Sequence, residues 1–346
     1  NDSITLTEAG AANNNVSGGN GDDTVTFTAN LDATDTVAGG NGTDTLVALS
    51  ADLAGVTYTR VSGFERLQVS DALAGDLITA NVNAGVERVN LAAATGGNTI
   101  TFEAGAKTLA LAVAAGAGLV VADTGSATTD SITLLNTSAA TDVYDGRALT
   151  TTGFETVTVN TSTTTTRVSN DLGAVAMTPD TGGAATLNIV GNNTVTFTTI
   201  TATGASSGVV NASGLTGSST FTNTGATGIT SITGTANGDT IVGSATATTI
   251  DGGAGNDNLT GGAAADNVSG GAGNDVIDGA AGNDVMTGGD GNDSITAGAG
   301  NDTAVGDAGD DTFIYAGNLA TGDSISGGDG TDILSISDAS LTTLAA

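Results

Sequence analysis

Aspartate is the residue whose type and spacing in this chain point most directly to chemistry. Over residues 234–314 the sequence divides into consecutive nine-residue units, and the cleanest units begin at Gly252, Gly270 and Gly288. They read GGAGNDNLT, GGAGNDVID and GGDGNDSIT. The sixth position of every unit is an aspartate except at Thr248, which breaks the column. The aspartates at this position are Asp239, Asp257, Asp266, Asp275, Asp284, Asp293, Asp302 and Asp311.

Carboxylates that lie among glycine-rich turns are suited to binding a hard divalent cation. Aspartate side chains and turn carbonyls supply only oxygen ligands, and the chain contains no histidine and no cysteine. Ligand sets made of oxygen alone favour calcium over zinc or copper. The nonapeptides are therefore predicted to bind calcium (Ca2+) at multiple sites.

The same nonapeptide predicts the backbone that must position these carboxylates. Its glycine-rich half indicates a turn, and its second half, with one central apolar residue, indicates a very short strand. Two units then form one coil, so that each aspartate faces the aspartate eighteen residues later. Neighbouring coils lie about 4.8 Å apart, which is the ordinary strand spacing. Carboxylates stacked at this distance repel each other unless a cation lies between them.

The two columns of turns differ in sequence. The clean units continue from Gly288 to Gly306, whereas the other column has alanine in place of glycine at Ala264, Ala280 and Ala297. Glycine adopts positive φ without steric cost, and alanine does not. We expect one well-formed calcium column and one weaker column.

A second block of the repeat lies near the beginning of the chain. GGNGDDTVT begins at Gly18, a worn unit spans 30–38, and GGNGTDTLV begins at Gly39. A shift of 288 residues brings this block onto 306–332 without a gap. Both blocks contain a clean turn, a three-residue insertion, a worn turn and a clean turn. This internal duplication favours a modular array over an enzyme with one active site.

Between the two blocks the composition shifts to threonine, alanine and valine. Short alternating runs such as RLQVS, TVTVN and TVTFTTI predict many short strands. Gly-Phe-Glu or Gly-Val-Glu precedes such runs at 63–65, 85–87 and 153–155, and the first two lie 22 residues apart, a suitable coil length for a wider β-helix. The glycine is predicted to form a turn and the apolar residue to fill the core. The glutamate is predicted to face solvent, or Arg66 and Arg88.

Together these patterns predict an all-β fold, a right-handed parallel β-helix or β-solenoid with calcium-bound β-roll segments. The predicted segments are an N-terminal repeat cassette at 1–47, an irregular solenoid at 48–233, a nonapeptide β-roll at 234–335 and a strand or tail at 336–346. The first residues, NDSIT, resemble the end of a nonapeptide. The chain is therefore expected to be a segment of a longer protein.

Composition argues against several classes of partner and of catalyst. The 37 acidic and 6 basic residues give a formal net charge of −31, so nucleic acids and anionic membrane surfaces are poor partners. Without histidine the chain lacks the usual general base, and without cysteine it lacks thiol chemistry. No apolar run is long enough to span a bilayer. We expect a protein that is not an enzyme, binds no nucleic acid and has no transmembrane segment.

With the nonapeptides and the duplicated block in view, the sequence resembles the RTX-containing surface-layer proteins of Gram-negative bacteria, such as the calcium-dependent one of Caulobacter. The resemblance is carried by the stretch from GGNGDDTVTFTANL to GFERLQV and by SITGTANGDTIVGSATATTIDGGAGND. It implies type I secretion, an extracellular location on the bacterial surface, and self-assembly into a lattice or filament. It also implies binding to lipopolysaccharide only through a domain that is not in this chain. Further calcium ligands implied by the family's sixth position are Asp23, Asp35, Asp44, Asp323 and Asp332.

Three functions stay open on the sequence alone. The first is a structural, self-assembling surface-layer protein whose solenoid is folded and cross-linked by calcium. The second is the stalk or repeat module of a type I-secreted RTX adhesin. The third is the non-catalytic RTX module of a secreted enzyme.

Overall fold

Nearly all regular structure in the described part of the chain is β-strand. The computed structural model describes residues 1–7, 13–83, 85–93, 95–112, 117–125, 129–137, 146–162, 169–180, 182–222, 228–317 and 319–337. Two four-residue helices occur within these ranges, α1 (Ser50–Leu53) and α2 (Thr79–Val82). The chain forms two compact units, Asn1–Ala185 and Thr186–Ala346.

The strands are short, and most span four to six residues. Those of the first unit are β1 (Ser3–Leu6), β2 (Asn15–Asn20), β3 (Thr24–Phe27), β4 (Thr36–Asn41), β5 (Thr45–Ala48), β6 (Val61–Ser62), β7 (Arg66–Val69), β8 (Leu77–Ile78), β9 (Arg88–Leu91), β10 (Thr99–Phe102), β11 (Ala106–Leu111), β12 (Leu119–Asp123), β13 (Ser131–Asn136), β14 (Arg147–Thr152), β15 (Thr156–Asn160) and β16 (Ser169–Thr178). Those of the second unit are β17 (Ala185–Gly191, which begins at the last residue of the first unit), β18 (Thr194–Ala202), β19 (Gly208–Leu215), β20 (Ser219–Thr222), β21 (Ile229–Thr235), β22 (Thr240–Val242), β23 (Thr249–Ala254), β24 (Asn258–Gly262), β25 (Asn267–Ala272), β26 (Val276–Ala280), β27 (Val285–Asp290), β28 (Ser294–Thr296), β29 (Thr303–Ala308), β30 (Thr312–Tyr315), β31 (Ser324–Asp329) and β32 (Ile333–Ile336).

The strand order is that of a parallel solenoid. In the first unit the odd-numbered strands from β1 to β15 pair successively in one sheet, and the even-numbered strands from β8 to β16 form another. A short third sheet contains β2, β4 and β6. In the second unit the odd-numbered strands from β17 to β31 form one sheet and the even-numbered strands from β18 to β32 form the other. Since within each sheet a strand pairs in parallel with the strand two positions later, the predicted all-β parallel solenoid is confirmed.

The strand register gives the length of each coil. In the nonapeptide region Asn267 pairs with Val285, so one coil contains two units of nine residues, as predicted. The pairs Thr24 with Thr45 and Thr303 with Ser324 show longer coils in the two duplicated blocks, because the three-residue insertion is added to eighteen. The pair Arg66 with Arg88 confirms the predicted 22-residue coil.

The core is thin in the nonapeptide region and wider in the threonine-rich region. Each short strand between β22 and β30 buries its central apolar residue, for example Leu259 and Ile277, each with 0 % exposure. Two residues per coil fill this narrow interior, which is what two short strands can supply. In the wider coils the core contains aromatic rings, and Phe197 stacks on Phe221 with the ring centroids 5.3 Å apart.

The predicted role of the Gly-Phe-Glu and Gly-Val-Glu motifs is confirmed for their first two residues. Gly63, Gly85 and Gly153 have φ values of 69°, 96° and 86°, which glycine adopts without strain. The apolar residues that follow these glycines, including Phe64 and Phe154, are buried in the core. Two of the glutamates, Glu65 and Glu155, accept hydrogen bonds from backbone N–H groups of other coils. The four predicted segments stay a prediction, and residues 338–346 of the predicted tail lie outside the described residues.

Candidate calcium-binding columns

The sixth-position aspartates lie in the turns that precede the short strands, and nearly all of them are shielded from solvent. Those with an exposed fraction of 3 % or less are Asp23, Asp35, Asp44, Asp239, Asp257, Asp266, Asp275, Asp284, Asp293, Asp302 and Asp311. Asp323 is half-buried, and Asp332, in the last described coil, is exposed. The structure thus places the predicted ligands inside the stack of turns, apart from the two at its C-terminal end.

One oxygen of each carboxylate connects its turn to the preceding coil. The backbone N–H of Asp239 donates to Asp257 Oδ1 at 2.7 Å, and the backbone N–H of Asp257 donates to Asp275 Oδ1 at 2.8 Å. The series continues to Asp293 and Asp311. A second series runs from Thr248 through Asp266, Asp284 and Asp302 to Asp323. Hydrogen bonds from backbone N–H groups to ionised carboxylates are stronger than neutral ones, so they hold each column in register.

The second oxygen of most of these carboxylates has no donor. The buried Oδ2 atoms without a hydrogen-bond partner in the described structure include those of Asp23, Asp44, Asp257, Asp266, Asp275, Asp284, Asp293, Asp302 and Asp311. Burying an ionised oxygen without a partner is costly, and native structures rarely repeat such an arrangement. A bound cation would satisfy all of these oxygens at once.

The first glycine of each unit leaves the space in which such a cation fits. A Cβ built on Gly252 would lie less than 3.0 Å from both Asp257 Oδ2 and the carbonyl oxygen of Gly270 in the next coil. The same pair of contacts recurs at Gly270 and at Gly288. None of these three glycines has a positive φ, so their backbone conformation would allow other residues. A side chain is excluded because it would collide with the neighbouring oxygens. Carboxylate and carbonyl oxygens without nitrogen or sulfur ligands are the donor set of calcium.

The looser column keeps the same carboxylates but has a less favourable backbone. Of the three predicted alanine positions, only Ala280 has a positive φ, at 68°. Ala297 occupies the first position of its unit, so its methyl group lies where glycine leaves space in the clean units. Asp266 and Asp302 nevertheless have the same unpartnered Oδ2 as the aspartates of the clean column. The predicted asymmetry therefore has a structural basis in Ala280 and Ala297, and its effect on calcium affinity stays a prediction.

At the N-terminal end of the nonapeptides, hydroxyl and backbone N–H groups make the contacts that a cation would make in the later turns. In the unit without a sixth-position aspartate, Ser244 Oγ lies 3.0 Å from Thr248 Oγ1 and 2.9 Å from Thr246 Oγ1. In the preceding unit the backbone N–H of Thr235 donates to Asp239 Oδ2 at 2.6 Å. These two turns are satisfied by the protein alone, so the fit to calcium is weaker at Asp239 than at Asp257.

The worn turns that follow the three-residue insertions, here called the insertion turns, also satisfy their aspartates without an ion. In the first block the backbone N–H of Asp32 donates to Asp35 Oδ2 at 2.9 Å. In the last block the backbone N–H of Ala320 donates to Asp323 Oδ2 at 2.7 Å. The two hydrogen bonds are equivalent under the 288-residue shift. A backbone donor within the worn turn thus reaches the oxygen that is unpartnered in the clean turns.

The expectation that the motif glutamates face solvent or arginine is wrong for two of the three. Glu65 Oε2 accepts the backbone N–H of Asp44 at 2.9 Å and so continues the series that starts at Asp23. Glu155 is buried and accepts the backbone N–H groups of Asp130 and Asp180. Only Glu87 is exposed as expected. In the wider coils a glutamate makes the inter-coil bond that an aspartate makes in the nonapeptides.

Sequence reasoning also missed Asp130, although a signal was present. Asp130 begins the run Asp-Ser-Ile-Thr, which also occurs from Asp293 in a clean nonapeptide and from Asp2 at the start of the chain. Of the glycines that normally precede this run, only the first-position one remains, at Gly125. The backbone carbonyl and side chain of Asp130 nevertheless connect coils as the nonapeptide aspartates do.

Burial sets the electrostatics of the columns. It raises the pKa of Asp257 to about 7, although the hydrogen bond from the Asp239 N–H acts in the opposite direction. The charges of Asp275, Asp239 and Asp251 raise it further. Burial likewise raises the pKa values of Asp284 and Asp293 to about 6. Without a cation the folded columns therefore take up protons more readily than the unfolded chain.

The direction of the pH dependence should reverse with calcium. In chelator-treated protein the raised pKa values mean that stability is greatest below about pH 4 and is lost as pH rises through 6 to 7. With calcium present, protons compete with the ion for the carboxylates, so the stability of the same region should increase as pH rises over the same range. Thermal unfolding followed by circular dichroism, with and without calcium, measures both slopes. Slopes of equal sign in the two conditions would contradict the assignment of these aspartates.

Filling the space at one clean turn should remove one ion. In Gly288→Ala the methyl would meet Asp293 Oδ2 and Gly306 O, so we expect calcium affinity at that turn to fall at least about tenfold, or ~1.4 kcal/mol. Gly118→Ala is the control, because Gly118 also lacks a positive φ and its nearest neighbour would be 3.3 Å away. Calorimetric titration of both variants measures the change. Equal affinities in the two would show that the cradle at Gly288 binds nothing.

The two kinds of turn in the first block should differ in their need for calcium. Asp44→Asn removes a charge whose Oδ2 has no donor, so one bound calcium ion should be lost. Asp35→Asn affects an aspartate whose oxygens both accept backbone N–H groups, so the number of bound ions should stay unchanged. Equilibrium dialysis with elemental analysis counts the ions. A loss in both variants would mean that the insertion turn also holds calcium.

Comparison with known proteins agrees with this geometry. The family model of the RTX calcium-binding nonapeptide repeat matches residues 8–29 and 31–50 and, in overlapping windows, residues 224–313. A search of the curated proteins found no match. Among the described residues no helix is both long and apolar enough to cross a membrane.

The matched ranges contain every sixth-position aspartate whose buried Oδ2 lacks a donor, Asp266 and Asp293 among them. RTX nonapeptide repeats bind calcium ions at multiple sites, and the proteins that carry them are typically secreted. The chain therefore contains two blocks of RTX calcium-binding nonapeptide repeats, built into a parallel β-solenoid whose cofactor is calcium.

Proposed function

We propose that this chain is a structural part of a self-assembling protein of a bacterial surface layer, in which calcium folds and cross-links the solenoid. The observation that carries the proposal is the alignment of buried, unpartnered aspartate oxygens along successive coils. An ion at each turn would contact the carboxylate of one coil and a carbonyl of the next, as at Asp257 and Gly270. Such ions stiffen a rod, because each solenoid coil otherwise contacts only its neighbours.

The proposal includes no catalytic role. The aspartates of the columns are arranged periodically and are used to bond one coil to the next, which is a structural task. The chain also lacks histidine and cysteine, the side chains most often used as general base and as nucleophile. The conclusion is a scaffold, with calcium as the resident cofactor.

Assembly between copies is supported by the distribution of charge. Several acidic side chains lie outside the columns and are exposed, among them Asp251, Asp290, Asp307, Asp310 and Asp329. Copies of a chain with a net charge of −31 repel each other in the absence of cations. Extracellular calcium sites typically have affinities of about 0.1 to 1 mM, and calcium at such levels would offset this charge.

A second candidate is the stalk of a type I-secreted RTX adhesin. It is favoured by the recurrence of the insertion turn, which has the same internal hydrogen bond at Asp35 and at Asp323. A block that recurs at a fixed interval is what an extended array of spacers needs. The non-catalytic module of a secreted enzyme is compatible with the same repeats.

Electron microscopy of the purified chain distinguishes these functions. In calcium at about 10 mM, above the affinity range of extracellular sites, we expect ordered sheets, and in chelator we expect dispersed, partly unfolded chains. Substitution of both Asp275 and Asp293 by asparagine should abolish the sheets, whereas Glu87→Gln, at an exposed position, should not. Isolated rods in calcium would contradict the lattice and favour the stalk. Hydrolase activity of this chain alone would contradict both.

A further inference from the structure

Two arginines lie side by side on the outer face of the odd-numbered sheet in the first unit. Arg66 of β7 pairs directly with Arg88 of β9, and Gln68 pairs with Asn90. All four side chains point away from the core, because the residue between them on each strand is buried. The adjoining strands, β5 and β11, have threonine in the row of the arginines. This arginine patch, defined as Arg66, Gln68, Arg88 and Asn90, lies between the two matched RTX blocks.

The two guanidinium groups of the patch have no internal counter-ion. The chain has only 6 basic residues against 37 acidic ones. Among the residues that the structure describes, neither arginine of the patch nevertheless forms a salt bridge. Arg88 Nε donates to Asn90 Oδ1 at 2.7 Å, which holds this guanidinium over the face of the sheet. Since like charges directly opposite each other destabilise a strand pair, the patch is suited to binding anionic groups from outside the chain.

Two surface cavities adjoin the patch. One, of about 310 Å³, is lined by both arginines together with Glu65, Glu87 and Thr108. The other, of about 250 Å³, is lined by Arg88 and by both amide side chains of the patch. Glu65 is already used within the chain, because its Oε2 accepts the backbone N–H of Asp44. The cavities thus leave space beside the guanidinium groups for side chains of another molecule.

Carboxylates with the same spacing are exposed in the second RTX block. Asp290, Asp307 and Asp329 lie outside the calcium columns and are exposed. Asp290 and Asp329 both pair with Ala308, the residue that follows Asp307, so the three aspartates lie on three successive strands. Neighbouring strands are about 4.8 Å apart here and at the arginine patch alike. Two guanidinium groups on adjacent strands therefore match two of these carboxylates, and arginine binds carboxylates in a bidentate geometry.

We propose that the arginine patch is the cationic side of a contact between copies of this chain, in which Asp290, Asp307 and Asp329 of a second copy supply the carboxylates. The inference rests on the proposed function and names the surfaces that meet in the assembly. A single exposed ion pair contributes little stability, so the contact mainly fixes the orientation of neighbouring copies. Each copy has one surface of each kind, so the contact is heterologous and extends into an array unless it closes into a ring.

Charge reversal on both sides tests the contact. In calcium at about 10 mM, the Arg66→Glu/Arg88→Glu chain should form sheets only at a protein concentration at least about tenfold higher than the native chain, with the number of bound ions unchanged. The Asp290→Arg/Asp307→Arg chain should show the same defect. An equimolar mixture of the two should restore the sheets, because each variant then finds an oppositely charged surface only on the other. Electron microscopy and analytical ultracentrifugation measure assembly.

A single substitution provides a control with the same change in charge. Arg66→Glu and Arg60→Glu both replace an exposed arginine of the first unit, but Arg60 lies outside the patch. Only Arg66→Glu should weaken assembly. If the Asp290→Arg/Asp307→Arg chain does not fold, as judged by circular dichroism and bound calcium, a mixture of Asp290→Arg with Arg66→Glu gives the same comparison.

The possible outcomes separate this contact from the proposed function. A native chain that stays monomeric in calcium would contradict both. Sheets that form equally well from the native and the Arg66→Glu/Arg88→Glu chains, or a mixture that does not recover, would overturn the contact and leave the surface-layer function standing. Loss of polygalacturonate binding in that variant, without loss of assembly, would assign the patch to an acidic polysaccharide instead.

Discussion

A buried carboxylate oxygen without a hydrogen-bond donor is the constraint on which the repeat region depends. In each clean turn one oxygen of the aspartate accepts a backbone N–H from the preceding coil, which fixes the spacing of the stack. The same bond holds the second oxygen in the interior, where no N–H reaches it. The position of the aspartate side chain therefore has two consequences. It bonds one coil to the next, and it places negatively charged oxygens of successive coils close enough to repel each other. A divalent cation removes the conflict without changing the backbone.

The hydrogen bonds from backbone N–H groups to acidic side chains of the next coil occur in more turns than the proposed calcium sites do. In the wider coils Glu65 and Glu155 accept the backbone N–H groups of Asp44 and Asp130, so a longer acidic side chain spans the larger corner. At Asp35 the backbone N–H of Asp32, in the same worn turn, supplies a donor for the second oxygen as well. Acidic residues thus order the coils throughout the first unit, and the calcium requirement arises only where the second oxygen is left without a donor.

Much of the fold could be predicted because the period of the sequence is the period of the structure. The spacing from Gly252 to Gly270 gave the eighteen-residue coil, and the alternation around Leu259 gave its inward side chain. The differences among aspartates could not be predicted in this way, because they depend on which N–H a neighbouring loop brings close. Asp239 and Asp257 occupy the same position of the repeat, yet only Asp257 lacks a donor for Oδ2.

Asp130 shows the same limit in the first unit. Gly125 keeps the first position of the repeat before Asp130, but the glycines of the second and fourth positions are absent. Only the stacking of the wider coils brings Glu155 Oε2 to the backbone N–H of Asp130. The nonapeptide period therefore identifies contacts between aspartates of the repeat, but it does not identify equivalent contacts between coils of another length.

Calcium concentration then decides which part of each unit is folded. In 252–313 each column aspartate has one buried oxygen without a donor, and two apolar residues per coil give a thin core, so the metal-free state has little to offset the repulsion. The strands β18 to β20 are different, because they bury larger side chains such as Phe197 and Phe221 around a wider interior. Binding free energy is folding free energy wherever the site does not exist in the unfolded chain. The nonapeptides should accordingly fold only where calcium is plentiful. The adjoining coils of β18 to β20 have a hydrophobic core that stabilises them without calcium.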